Sequence, residues 1–346
     1  MHFSSLIAGL GLSTCIAAAA THGSHHSHSK PSVQPGNNKE TKIPGFFTGN
    51  CTEEKMTVRK EWRNLSKAEQ KNFLDSVECL INSPAQSSLA ATTSRFSDLQ
   101  ALHRAKTNTA VGDIIHDVGQ FLPWHRYYMH IYETLLRDEC GLTAPMPYWD
   151  EVYDADSGDM WQSAMWDAEA FGGNGTGSEL CVEDGRFSNL TLHIGPGDED
   201  TDYCLRRSWD GADAIANANS KVLETCNSYN TFSPWWYCIA ELPHKGVHTY
   251  VGGVMADIKS SPGDPIFFMH HMYIDRVWWL WQKQDPLNRL YDISGPSVNE
   301  SANAEPAGGW QNTTLHYELS SYSIMPNTTI GHVMNSQGGY LCYGYE

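Results

Sequence analysis

No apolar run in this chain reaches the about 18 residues a membrane-crossing helix needs, so no transmembrane helix is expected. Positive charge is scarce as well. There are 23 Lys and Arg against 40 Asp and Glu, a formal net charge of −17. That balance argues against nucleic acid and anionic membranes as partners, and otherwise serves solubility. No two cysteines are spaced as a zinc knuckle, and no H-E-x-x-H motif is present, which sets aside the metalloproteases. There is no internal repeat of about 20–50 residues, and no composition shift marks a domain boundary after residue 50.

What is present is a chain of 346 residues, 40% hydrophobic and 11% aromatic, with 12 tryptophans. It has enough apolar material to bury a sizeable core. The N-terminus reads as a secretory signal over residues 1–20. An apolar stretch begins at Leu6 and ends in the small residues Ala17–Ala20, although its start lacks Lys or Arg. Residues 21–48 are polar and His-rich and read as a disordered leader, leaving 49–346 as the folded domain. Seven N-glycosylation sequons, at Asn50, Asn64, Asn174, Asn189, Asn299, Asn312 and Asn327, fit a secreted protein of the extracellular space or cell wall. Signal removal takes one of the nine cysteines, Cys15, and the remaining eight suit up to four disulfides of undetermined pairing.

Apolar periodicity predicts helices over Thr57–Leu80, Ser94–Arg104, Pro123–Glu139, a stretch starting near Pro243, and Asp264–Gln284. Ser66 with Glu69 resembles a capping box, and Asp264-Pro265 suits an N-cap followed by N1. The Gly- and Asp-rich stretch Asp154–Asp210 reads as long surface loops, and the tail after Asn288 as a few short strands.

The chemistry lies in the histidines. His244 and His248 are spaced i, i+4, so a helix puts both on one face, where they can share one ion. His271 follows on another helix. Its neighbour His270 points about 100° away and reads as a packing or hydrogen-bonding residue. Asp275, one turn after His271, could orient an imidazole or pair with an arginine such as Arg276. His116 and His125 are separated by Pro123. A loop carrying His116 and a helix carrying His125 can meet at one ion, with His103 as third ligand. His130, His193, His316 and His332 read as core, loop or surface residues. Three imidazoles per ion, with no thiolate or carboxylate among the ligands, favour two copper ions, with zinc as the competitor.

Two long signatures carry a resemblance. One runs from His116 through Phe121, His125-Arg126 and Met129 to Glu133. The other is Asp264-Pro265-x-Phe267-Phe268-x-x-His271-x-x-x-Asp275. With Arg59-Lys60-Glu61-Trp62-Arg63-x-Leu65 and Val251-Gly252-Gly253, they make the chain, over roughly residues 50–346, similar to the tyrosinase and catechol oxidase family of type 3 copper proteins. The resemblance implies a mainly α fold whose central four-helix bundle holds a dinuclear copper site, with long loops and a few short strands. It implies His103, His116 and His125 on one copper and His244, His248 and His271 on the other. The implied chemistry is oxidation of a small phenolic substrate, an o-diphenol, to an o-quinone with O2. True tyrosinases also hydroxylate a monophenol.

Glu241 matches the family's water-holding glutamate. Lys245 stands where efficient monophenolases often carry Asn, so diphenol oxidation is favoured. Its charge reads either as a solvated rim residue or as an attraction for acidic substrates. Thr249 and Ile258 are the other expected pocket residues, Ile258 at the gate position. Ile114 stands two residues before His116 with no cysteine nearby, so the thioether of some relatives is not expected. Arg59 is expected to stack near the closing Tyr343-Gly344-Tyr345, and with no shielding domain after that motif, no latent form is expected. Two alternatives remain: a non-redox, zinc-dependent tailoring enzyme of secondary metabolism on the same scaffold, and a reversible O2 carrier.

Overall fold

The computed structural model describes residues 47–210, 215–299 and 311–346. The expected signal 1–20 lies outside the described residues, as does the expected leader apart from positions 47 and 48. The strand β1 (Thr57–Glu61) enters the fold and is followed by α1 (Lys67–Asn82), α2 (Arg95–Thr107), α3 (Phe121–Cys140) and β2 (Pro147–Tyr148). Further on come α4 (Phe232–Ile239), α5 (Lys245–Val251), α6 (Ile266–Gln284) and, at the end, β3 (Tyr343–Tyr345). The mainly α fold with short strands is as expected, and the histidine-bearing helices α2, α3, α4–α5 and α6 form its central bundle.

Local chemistry explains most of these boundaries. Ser66 caps α1 by accepting from the Glu69 amide at 3.3 Å, and Glu69 returns the bond to the Ser66 amide at 2.7 Å, the expected capping box. Ser94 caps α2 in the same manner with Ser97. Gly141, at φ +67°, ends α3 in the left-handed region that glycine adopts without strain.

Four expectations need correction. Thr57–Glu61 is a strand rather than the start of a helix. It pairs in parallel with both β2 (Lys60 opposite Pro147) and β3 (Arg59 opposite Tyr345), and partners this distant in sequence override local pattern. The α3 helix begins before Pro123, which occupies its first turn, where the missing N–H costs nothing. Likewise the helix expected to start near Pro243 begins at Phe232. Pro243 sits inside a π-helical turn, Ala240–His244, that links α4 to α5 and absorbs the lost hydrogen bond. Finally, the N-cap of α6 is Pro265. Asp264 does accept from the Ile266 amide at 3.1 Å, but its carboxylate mainly grips the buried Arg207 at 2.7 and 2.9 Å.

Four disulfides are formed: Cys51–Cys342, Cys79–Cys140, Cys181–Cys204 and Cys226–Cys238. Cys181–Cys204 pins the expected loop region, which carries the short strand pairs Gly175–Thr176 with Cys181–Val182 and Thr191–Leu192 with Tyr203–Cys204. The core is aromatic. Trp149, Trp235, Trp278 and Trp281 are fully buried, each worth about 2–3 kcal/mol of water exclusion.

Asp275 is the polar hub of this core, and the expectation that it orients an imidazole is not met. Its Oδ1 accepts from Arg126 Nε at 2.5 Å, and its Oδ2 from Arg59 at 3.1 Å and from the Tyr343 and Tyr345 hydroxyls at 2.6 and 2.5 Å. Nor does it pair with Arg276. Its acceptor capacity is consumed by two buried guanidinium groups and two phenols, which hold its carboxyl below the usual range against the opposing effect of burial. Arg59 stacks over Tyr343 at 3.5 Å, as expected, and reaches Glu133 at 2.8 Å. One carboxylate thus ties β1, β3, α3 and α6 together.

Candidate metal centre

The bundle brings the expected histidines together in two clusters. In the first, His103 projects from α2, His116 from the loop before α3, and His125 from α3. One nitrogen from each lies within 4.8 Å of the other two. The second holds His244 and His248, from the end of the π turn and from α5, and the adjacent pair His270 and His271 from α6, again within 4.8 Å. The His125 and His271 rings stack at 4.4 Å, which sets the clusters side by side. Phe121 packs against both, 4.8 Å from His125 and 4.7 Å from His244.

Most rings are fixed by a partner at Nδ1. The backbone carbonyl of Phe121 accepts from His125 at 2.8 Å, that of Ala240 from His244 at 3.2 Å and that of Met255 from His248 at 2.7 Å. The two remaining anchors are carboxylates: Asp113 on His116 at 2.8 Å and Glu151 on His270 at 2.5 Å. A metal-binding imidazole is held by this kind of contact, which selects the tautomer that leaves Nε2 free. Here Nε2 of His125, His244 and His270, both ring nitrogens of His103, and Nδ1 of His271 are buried without a protein partner. An unmatched buried polar atom costs about 1–3 kcal/mol, so this concentration of them calls for a ligand.

The rings are also held neutral. Burial, reinforced by neighbouring imidazoles, pushes His103, His125, His244, His270 and His271 well below the usual histidine range. Burial brings His248 down to about 4. Neutral imidazole is the metal-binding form. All eight described cysteines are in disulfides, so no thiolate among them competes, and the donor set fits a borderline metal such as copper or zinc. The remaining described histidines stay out of both clusters. His193 bonds Asp202 and His332 bonds Thr328.

Sequence reasoning missed several residues. His270 does not point away from the second cluster; it packs 5.3 Å from His244 and 4.8 Å from His248. Glu151, wholly buried 119 positions away in sequence, gave no local signal. Asp113, three residues before His116, could have been noticed as a local acceptor.

An open cavity of about 250 Å³ lies over the clusters, with His116, His244, His248, Phe121 and Met255 in its wall. Lys245, Thr249 and Ile258 line it, and all three are exposed. Glu241 does not line it; its carboxylate bonds the Lys245 ammonium, which also reaches Asp117 at 3.4 Å. Lys245 is therefore no free positive charge. Burial lowers its affinity for a proton, but Glu241 and Asp117 outweigh that and hold it firmly charged.

Comparison with known proteins agrees with this geometry. Residues 93–284 match the common central domain of tyrosinase. A tyrosinase-like protein, phomQ1, of Diaporthe leptostromiformis is 33% identical over 318 residues, 84% of this chain and 77% of that protein. The N-acetyl-6-hydroxytryptophan oxidase ivoB of Emericella nidulans is 28% identical, covering 86% and 94%. Among solved structures, a mutant polyphenol oxidase from Thermothelomyces thermophila superposes with a TM-score of 0.75 at 28% identity, covering 86% of this chain and 90% of that one.

Proposed function

The chain belongs to the tyrosinase family, and from that premise we propose that it is an exported, N-glycosylated dinuclear copper oxidase that converts o-diphenols to o-quinones with O2. The observation that carries the reading is the pair of histidine clusters beneath an open cavity, with ring nitrogens buried in both that no protein group satisfies. His103, His116 and His125 would hold one ion, and His244, His248 and His271 the other. When bound, a copper pair supplies O2 binding and two-electron chemistry.

The protein does the rest. Carbonyls of Phe121, Ala240 and Met255 and the Asp113 carboxylate hold the ring orientations. Phe121 and Met255 give the substrate ring an apolar wall. Ile258, about half exposed, leaves the mouth open. Lys245 occupies the Glu241 carboxylate, so that carboxylate is not free to accept the proton of an incoming monophenol. A diphenol depends less on such a base, and diphenol oxidation is the favoured activity. The likeness to a hydroxytryptophan oxidase extends the acceptable ring to hydroxyindoles. Six of the seven sequon asparagines are exposed, and four disulfides are formed; both support export.

One observation favours a second reading. With His270, the second cluster has four imidazoles, enough to fill a tetrahedral zinc and serve a non-redox reaction. Metal analysis of protein purified from its native host separates the two.

The test is oxygen uptake by copper-loaded protein with catechol, beside His271→Ala. Uptake that vanishes in the variant supports the oxidase. No uptake with copper demonstrably bound overturns it.

A further inference from the structure

Asp117 follows His116 directly and takes a left-handed backbone, φ +54°, that non-glycine residues rarely adopt. The turn leaves its side chain at the cavity mouth, about one-third exposed. Its contacts are weak: Lys245 at 3.4 Å on one oxygen and Asn299 at 3.3 Å on the other. Lys245 is committed more closely to Glu241. Two carboxylates thus share one ammonium, and the trio carries a net charge of −1. This reverses the sequence-based expectation of an attraction for acidic substrates.

Asp117 also lines a second cavity, of about 370 Å³, beside the first. The walls there are Trp236, Tyr237, Pro234 and Pro296. A carboxylate beside aromatic rings is the chemistry that recognises a protonated amine, by ion pairing and by cation–π attraction. Among the described residues, neither cavity has a Lys or Arg other than Lys245 in its wall.

We propose that Asp117 is a specificity-determining residue, and that this enzyme prefers phenolic substrates bearing a protonated amine on a short side chain. The aromatic ring occupies the cavity over the histidines, and the amine lies at Asp117 against the Trp236–Tyr237 wall. The inference rests on the proposed oxidase reading and names its substrate class.

The test compares three catechols on the copper-loaded protein: dopamine, dihydrocaffeate and uncharged ethylcatechol. Dopamine should exceed dihydrocaffeate in kcat/KM by roughly tenfold, mainly through KM, a difference of about 1.4 kcal/mol. Asp117→Asn should bring the ratio to one or below, because Lys245 is then matched by Glu241 alone. Tyr237→Ala, an exposed position that puts little of the fold at risk, should lower dopamine preference a few-fold. A ratio unchanged in Asp117→Asn, or a wild-type preference for dihydrocaffeate, overturns the proposal. If no catechol is oxidised, the oxidase reading fails instead. Equilibrium binding of phenethylamine against phenylpropionate, in wild type and Asp117→Asn, then still decides the charge preference.

Discussion

The two histidine clusters are built by different means. The first depends on a loop. His116 reaches its site from an irregular segment, and its ring is held by Asp113, a carboxylate three residues away and partly exposed. The second rests on helices, with every histidine on the α4–α5 rod or on α6, and its carboxylate, Glu151, is wholly buried and comes from a distant part of the chain. A locally supported cluster can adjust to its ligand, whereas a rigid one is shaped by the packing of the whole core. This difference predicts that the two ions will not be equivalent.

The largest effect should come from the link between the clusters. Arg126 follows His125 on α3, Asp275 lies one turn after His271 on α6, and their 2.5 Å contact joins the two helices. Asp275→Ala would leave Arg59 and Arg126 buried without this partner, at a cost of about 3–5 kcal/mol. The expected result is a Tm lowered by on the order of 10 °C, measured calorimetrically on the metal-free protein. A shift of a degree or two would mean that the clusters are held together by apolar packing alone.

The carboxylates that support the rings come next. Asp113→Asn should weaken metal binding at the first cluster by about 10–100-fold, and Glu151→Gln, which loosens His270 where it packs on His244 and His248, should weaken it at the second. Titration of the metal-free protein with Co²⁺ should therefore show one weakened and one intact step in each variant. Loss of both steps together in either variant would abolish the distinction drawn between the clusters.

Acid should act on both clusters, and more strongly on the second, where folding lowers the proton affinity of four imidazoles against two in the first. Folding lowers the proton affinity of these rings, so the unfolded chain binds more protons and stability rises with pH. The contribution is complete above the unfolded histidine value of about 6.5. It is lost as pH falls through the folded values, about 4 for His248. Denaturant midpoints of the metal-free protein should fall steadily from pH 7 to pH 4, and metal should offset the loss by requiring the same neutral rings. A flat profile over that window would show that the rings are not held neutral.

These contrasts also explain what could be read from the sequence. The six expected ligands all fall in clusters, because helix spacing and the break before α3 are local facts. The role of Asp275 was not legible, since Arg59, Arg126, Tyr343 and Tyr345 converge on it from separate segments. Glu151 and the inward turn of His270 were hidden for the same reason. The strand Thr57–Glu61 was misread because its partners, β2 and β3, lie about 90 and 290 positions away.

The smallest expected effect concerns the rim, where the clusters meet substrate. Lys245 stands on the helical second cluster and reaches Asp117 on the loop of the first. That contact spans the mouth and links the two modes of support. Being half exposed, such a pair is worth only about 0.2–1 kcal/mol. Lys245→Asn should therefore change rates only a few-fold. The direction is nonetheless informative. Removing the ammonium frees Glu241 to accept a proton, so monophenol oxidation should rise relative to catechol oxidation, read as the ratio of the two kcat/KM values. A fall in both by the same factor would instead make Lys245 a brace that keeps the loop of the first cluster in register with the helices of the second.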